Sequence, residues 1–135
     1  MSEQNKALVR RLYEDHWTKK NEALVGEVFA SNVSLNTPDG VVRGLNEALS
    51  FLRGYASSFP DFVSTIEDLV AEGDKVVARW TFTGTHTGAM GDIPASGKRV
   101  KETGIGIYRV VAGKIAEGNL TWNKHSLLKQ IGALN

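Results

Sequence analysis

From Ala78 onward, the stretch Lys75-Val76-Val77-Ala78-Arg79-Trp80-Thr81-Phe82-Thr83-Gly84-Thr85-His86 alternates between two kinds of side chain. Val76, Ala78, Trp80 and Phe82 fall on one face, and Arg79, Thr81, Thr83 and Thr85 on the other. A period of two is the signature of a strand with one buried face. Working outward, Glu72-Gly73-Asp74 is a tight turn that joins this strand to another over Val63 to Ala71. On the other side, Thr87 to Gly97 holds three Gly and one Pro and reads as a loop. Lys98 to Val111 is a third long strand, and Ala112-Gly113 turns it into a fourth over Lys114 to Asn123. The second half of the chain is therefore a meander of long antiparallel strands. Gly84, Gly104, Gly106 and Gly118 fit tight bends or bulges in a curved sheet.

The first half carries a helical period instead. A helix is predicted from Glu3 to Lys19, because Leu8, Leu12 and His16, with Val9, Tyr13 and Trp17, form one stripe at four-residue spacing. Asn21 is placed to cap a second helix through its side chain, with Leu24, Val25, Val28 and Phe29 as the buried face. An extended piece from Val33 to Thr37 and a turn at Pro38-Asp39-Gly40 follow. A third helix spans Leu45 to Ser57, with Leu45, Leu49, Leu52 and Tyr55 inward, and ends before Phe59-Pro60-Asp61. Helices first and strands second argue for an α+β domain over residues 1–135. Three N-terminal helices over one face of a strongly curved sheet would close it into a cone that keeps an internal cavity.

Composition narrows the function classes. With 41% hydrophobic and 23% charged residues, a packed core needs no covalent staple. The chain has no cysteine, which excludes disulfides, thiolate metal sites and a cysteine nucleophile. A net charge of +1 lacks the basic footprint of a nucleic-acid binder. No run approaches the ~20 apolar residues of a membrane span, and Met1 to Lys6 lacks an apolar signal core. The expectation is a soluble cytoplasmic protein with no nucleic-acid or membrane partner.

Several segments, in order along most of the chain, resemble the SnoaL-like polyketide cyclase family. They are Phe59-Pro60-Asp61, Ile66 to Trp80, Gly84-Thr85-His86-Thr87-Gly88, Gly91 to Val100, Ile107-Tyr108-Arg109, Gly113 to Glu117, and the tail Leu127-Leu128-Lys129-Gln130-Ile131-Gly132. The resemblance implies the nuclear transport factor two-like fold, a curved mixed, mostly antiparallel sheet around helices with a pocket at the wide end. It also implies a frequent homodimer and cofactor-independent, metal-free ring closure by an intramolecular aldol reaction. In the family an aspartate at the end of the last strand is the acid/base.

The chain departs from that pattern at three places. The family aspartate is matched by Asn123, whose amide does not titrate near neutral pH. Asn36 stands where many members have histidine, and Gly118-Asn119 where Glu-Trp is usual. If Asn123 lines the pocket, alternation brings Thr121 and Asn119 with it. The alternative is that all three face solvent. His16 and His86 are the candidate substitute bases; the alternative reading is that His16 is a core or pocket-edge histidine and His86 a turn histidine bonded to loop backbone. Tyr13, Trp17, Tyr55 and Trp80 are candidate walls for a flat ligand, or plain core. Three histidines without paired spacing make no metal site. Glu102 and Arg79 either form a buried pair or point out of the sheet. Two functions stay open at this point. One is a cyclase-type enzyme, or a related lyase or isomerase, acting on a cyclic or polyketide-like molecule. The other is a non-catalytic ligand-binding or dimeric structural protein.

Overall fold

The computed structural model describes residues 2–134. Helix α1 (Ser2–Arg11) continues without a break into a π-helical turn over Leu12–Trp17. The Thr18 amide, for example, donates to Tyr13 O five residues back. The helical run stops two residues before the predicted Lys19, and Lys20 takes a left-handed φ of 52°. The second predicted helix is a 3-10 turn (Glu22–Leu24) followed by the single turn α2 (Val25–Val28). The Asn21 side chain makes no capping bond, which corrects the expectation. Its backbone carbonyl accepts from the Leu24 amide instead.

Phe29, expected on that helix, opens strand β1 (Phe29–Thr37) and remains buried. Strand β2 (Gly40–Arg43) was not anticipated, because its four residues are too few to show a period. Helix α3 (Gly44–Ser58) is followed by the four long strands β3 (Val63–Glu72), β4 (Lys75–Thr85), β5 (Arg99–Val111) and β6 (Lys114–Trp122). Helix α4 (Lys124–Gln130) ends the fold.

The six strands form one sheet in the order β2-β1-β6-β5-β4-β3. Every pair is antiparallel except β1 with β6. The architecture is the expected α+β arrangement of a curved mixed sheet with helices on one face. At the β5–β6 turn both Ala112 (φ 52°) and Gly113 (φ 77°) are left-handed, the geometry a two-residue hairpin requires.

Three register shifts bend the sheet, one of them in the β1–β6 pair between Phe29 and Ser34. The β3–β4 register shifts between Ile66 and Asp68, leaving Glu67 as the extra residue. The β5–β6 register shifts between Arg109 and Val110, leaving Ala116 as the extra residue. A bulge switches which alternate residues point inward and increases the local twist. On β6, Ile115 faces the core before the bulge, and Gly118, Leu120 and Trp122 face it after.

Glycines on the concave face make room for rings. A Cβ at Gly104 would lie 2.3 Å from Trp80 Cζ2, and one at Gly118 would lie 2.9 Å from Tyr108 Cδ1. The Trp80 indole thus lies flat across its own cross-strand partner, since Trp80 pairs with Gly104. Tyr108 lies over Gly118 in the same way. The core of Val9, Leu12, Tyr13, Val28, Phe29, Leu35, Leu52 and Tyr108 fills the narrow end beneath the N-terminal helix.

Candidate functional site: an aromatic cavity with two polar groups

The wide end is not filled. A cavity of about 60 Å³, open at its mouth, lies between α3, α4 and strands β3 to β6. Its wall is built from rings: Trp17 from the π-helical turn, Phe51 and Tyr55 from α3, Phe62 before β3, Trp80 and Phe82 on β4, and Trp122 on β6. Leu52, Leu120 and Leu127 close the gaps. All three tryptophans of the chain face this space. The rings brace one another edge to face, with Phe51–Tyr55 at 5.4 Å and Tyr55–Trp122 at 6.1 Å.

Two polar side chains, Ser64 and Glu102, break the apolar wall. The Ser64 amide donates to Thr18 Oγ1 (3.0 Å), and the Thr18 hydroxyl donates to Ser64 O (3.3 Å). The end of the first helix therefore fixes the strand at this residue. Glu102 sits on the concave face of β5 between Val100 and Gly104. Gln130 of α4 holds it: Gln130 Nε2 donates to Glu102 Oε2 (3.1 Å) and to Lys101 O (3.0 Å), while its Oε1 accepts from the Lys101 amide (2.8 Å). The Tyr55 hydroxyl is already committed, since it donates to Asp39 Oδ2 (2.5 Å), which is also ion-paired with Lys124. Burial, reinforced by Asp39, pushes the Tyr55 hydroxyl far above the usual phenol range, so it does not ionise near neutrality.

The residues singled out in the sequence divide into three groups. Trp17, Tyr55 and Trp80 line the cavity. Tyr13, His16 and His86 are fully buried but lie outside its lining. The Tyr13 ring stands 5.4 Å from Trp80 and supports it from behind, and the Tyr13 and Tyr108 hydroxyls share a 2.5 Å hydrogen bond. Burial chiefly raises the pKa of both phenols. His16 donates from Nδ1 to Asn21 O (2.8 Å), so its buried Nε2 is an unprotonated acceptor with no partner among the described residues. Burial lowers the His16 pKa, and the Asn21 bond and Glu22 offset this only in part. His86 is the turn histidine: its Nδ1 accepts from the Ser96 amide (3.1 Å) and lies 2.9 Å from the Ser96 hydroxyl.

Asn36, Asn119, Thr121 and Asn123 form the third group, and here the expectation is corrected. All four are exposed and none lines the cavity. Asn36 Nδ2 donates to Asn119 Oδ1 (2.7 Å) across the convex face. Asn123 caps α4, its Oδ1 accepting from the Ser126 amide (2.8 Å). The physical reason is the sheet's alternation: Leu120 and Trp122 take the inward positions, so the odd-numbered neighbours face out. The same rule settles the pair left open in the sequence. Glu102 points in, and Arg79 points out to Asp68 (2.7 Å). Sequence reasoning passed over Ser64, Phe51, Phe62, Phe82, Leu120, Trp122 and Leu127 as site residues, although alternation along the strand gives Phe82 an inward position. Among the described residues no three His, Asp or Glu side chains come together as a metal site, and no helix is long and apolar enough to cross a membrane.

A curved sheet closed by helices over an aromatic hollow defines a small-molecule-binding α+β cone of the nuclear transport factor two-like class. The chain belongs to the SnoaL-like polyketide cyclase family, whose sequence model matches residues 7–131. Solved structures agree over nearly the whole length. TsrD from Streptomyces laurentii is 29% identical, with 99% of this chain and 98% of that one covered at a TM-score of 0.89. A protein described as a polyketide cyclase from Bacillus cereus is 28% identical, covering 98% and 83% at 0.83. One described as a SnoaL-like polyketide cyclase from Jannaschia shares the fold at 22% identity, covering 99% and 95% at 0.90. No curated protein sequence matches the chain.

Proposed function

We propose that the protein binds a neutral, ring-bearing molecule in the aromatic cavity and closes a ring in it by cofactor-independent aldol chemistry, with Glu102 as acid and base. The observation that carries this reading is that Glu102 is the one carboxylate among the described residues that line the mainly apolar cavity. In the reaction, the Glu102 carboxylate removes a proton from a carbon flanked by carbonyl groups. The resulting enolate carbon attacks a second carbonyl of the same molecule and forms the new C–C bond. The alkoxide so produced takes the proton back from the Glu102 carboxylic acid, which restores the carboxylate. Gln130 occupies one carboxylate oxygen and orients the other. The aromatic walls hold the chain folded and exclude water. The name carried by the Bacillus cereus relative is in keeping with this chemistry.

Cyclisation of a linear aromatic polyketide ester tests the proposal. Glu102→Gln is expected to lower the rate at least ~100-fold while leaving the fold intact. Full activity in that variant would remove Glu102 from the mechanism. Turnover absent from the wild type, together with intact binding, would favour a non-catalytic ligand carrier.

The same reading includes a homodimer through the convex face of the sheet. Val70, Ile105 and Ile107 are 62%, 42% and 44% exposed there, and Val77 pairs with both Val70 and Ile107 in one row. Sedimentation velocity should show a dimer that Ile107→Lys dissociates, and a monomeric wild type would end this part of the proposal. A cytoplasmic location completes it and is checked by cell fractionation.

A further inference from the structure

Ser64, Phe82 and Glu102 lie in a single row across three strands, since Ser64 pairs with Phe82 and Phe82 with Glu102. Two strand spacings put the backbone ends of this row ~10 Å apart. All three side chains face the cavity. The row is therefore polar at both ends and apolar in the middle, where the Phe82 ring stacks on Phe62 (5.2 Å, 23° between planes).

Ser64 is only 5% exposed, yet its hydroxyl has no hydrogen-bond partner among the described residues. Both its backbone groups are taken by Thr18. The hydroxyl oxygen is not among the fully buried atoms left without a partner, so it opens onto the cavity. A hydroxyl that is held rigidly and left unpaired in a binding cavity is placed to meet a ligand. The two ends of the row also differ in sense. The Ser64 hydroxyl can donate to a carbonyl, whereas the Glu102 carboxylate can only accept.

Resting on the cavity-binding reading above, we infer that the ligand is a flat scaffold about two rings long. It carries a carbonyl oxygen that Ser64 binds at one end and a donor or acidic hydrogen that meets Glu102 at the other. Ser64 is then a specificity residue. It selects oxygenated bicyclic compounds over bare hydrocarbons and fixes which end of the molecule faces the base.

Quenching of the three cavity tryptophans reads binding directly. Four probes separate the contributions: a hydroxytetralone with its hydroxyl at the far end of the aromatic ring, tetralone without that hydroxyl, tetrahydronaphthol without the carbonyl, and tetralin with neither. The wild type should bind hydroxytetralone most tightly and tetralin least. Ser64→Ala should weaken hydroxytetralone and tetralone about 5-fold and leave tetrahydronaphthol unchanged, as loss of one neutral hydrogen bond requires. Glu102→Gln should weaken the two phenols about 10-fold and leave tetralone unchanged. An equal effect of Ser64→Ala on all probes, or none on any, overturns the role of Ser64. Should that variant fail to fold, the wild type still decides: tetralone binding no better than tetralin refutes the inference. Binding of oxygenated probes without Ser64 discrimination sinks this inference alone. Failure of the wild type to bind any of the four sinks the cavity-binding reading itself.

Discussion

Gly104→Ala is the substitution whose consequence the structure specifies most closely. The added methyl would stand 2.3, 2.6 and 2.8 Å from Cζ2, Cε2 and Cη2 of Trp80. Ordinary carbon contacts lie at about 3.5–4.0 Å, so the indole must lift by roughly 1 Å or more. The space above it is the cavity. Overpacking of this kind costs about 1–3 kcal/mol. Replacing glycine within a strand returns about 0.5–1 kcal/mol through the unfolded chain. The net loss is up to about 2.5 kcal/mol. For 135 residues at about 2.1 cal/mol/K each, that lowers Tm by up to about 9 °C. Thermal unfolding followed by circular dichroism reads the shift, and tryptophan emission should change with it, because Trp80 meets both Trp122 and Tyr13. Gly54→Ala is the control: it lies exposed on α3 with nothing within 4 Å of the added carbon. It should gain about 0.5–1 kcal/mol from helix propensity. If Gly104→Ala stabilised the protein as Gly54→Ala does, Trp80 would not lie flat on β5 and the cavity floor described here would be wrong.

Two further outcomes are expected. Asn123→Ala should remove a helix cap and cost about 1 kcal/mol, whereas Asn123→Asp keeps the acceptor and should hold Tm; neither should alter probe binding, and cyclisation acquired by Asn123→Asp would contradict the outward placement of residue 123. For His16 the folded pKa is depressed by burial. As pH falls, the unfolded chain therefore takes up its proton first, and stability is lost from the ordinary histidine range near pH 6.5 down to the folded pKa, then stays level. Urea midpoints should drop more between about pH 7 and pH 5 in the wild type than in His16→Gln, and parallel curves would show that His16 is not held neutral.

The long elements were legible because their periods repeat. The four-strand meander, the Ala112-Gly113 turn and helix α3 all run long enough for an inside and an outside to separate. The short elements were not: β2 has four residues and α2 is one turn. The residues from Gly118 to Asn123 show how a site can be misplaced even in a legible strand. Leu120 and Trp122 are the large apolar residues, and Asn119, Thr121 and Asn123 the polar ones that alternate with them. Alternation alone puts the former inside. The opposite parity came from placing Asn123 where the family keeps its acid. The bulge at Ala116 added to the difficulty, since it reverses the parity set by Ile115. Glu102 was hidden for a related reason. The outward positions of β5 carry Ile105 and Ile107, so neither face of that strand looks like the outside.

The parallel seam between β1 and β6 has a consequence for how the chain assembles. Its two halves lie far apart in sequence, Leu35 pairing with Gly118. Such a contact closes a very long loop, while β3 to β6 need only hairpins and one loop between neighbours. The meander is therefore expected to zip first, with β1 and the helices docking onto it last. Pulse-labelled hydrogen exchange during refolding should protect β4 and β5 amides before those of β1, and the reverse order would rule this sequence of events out.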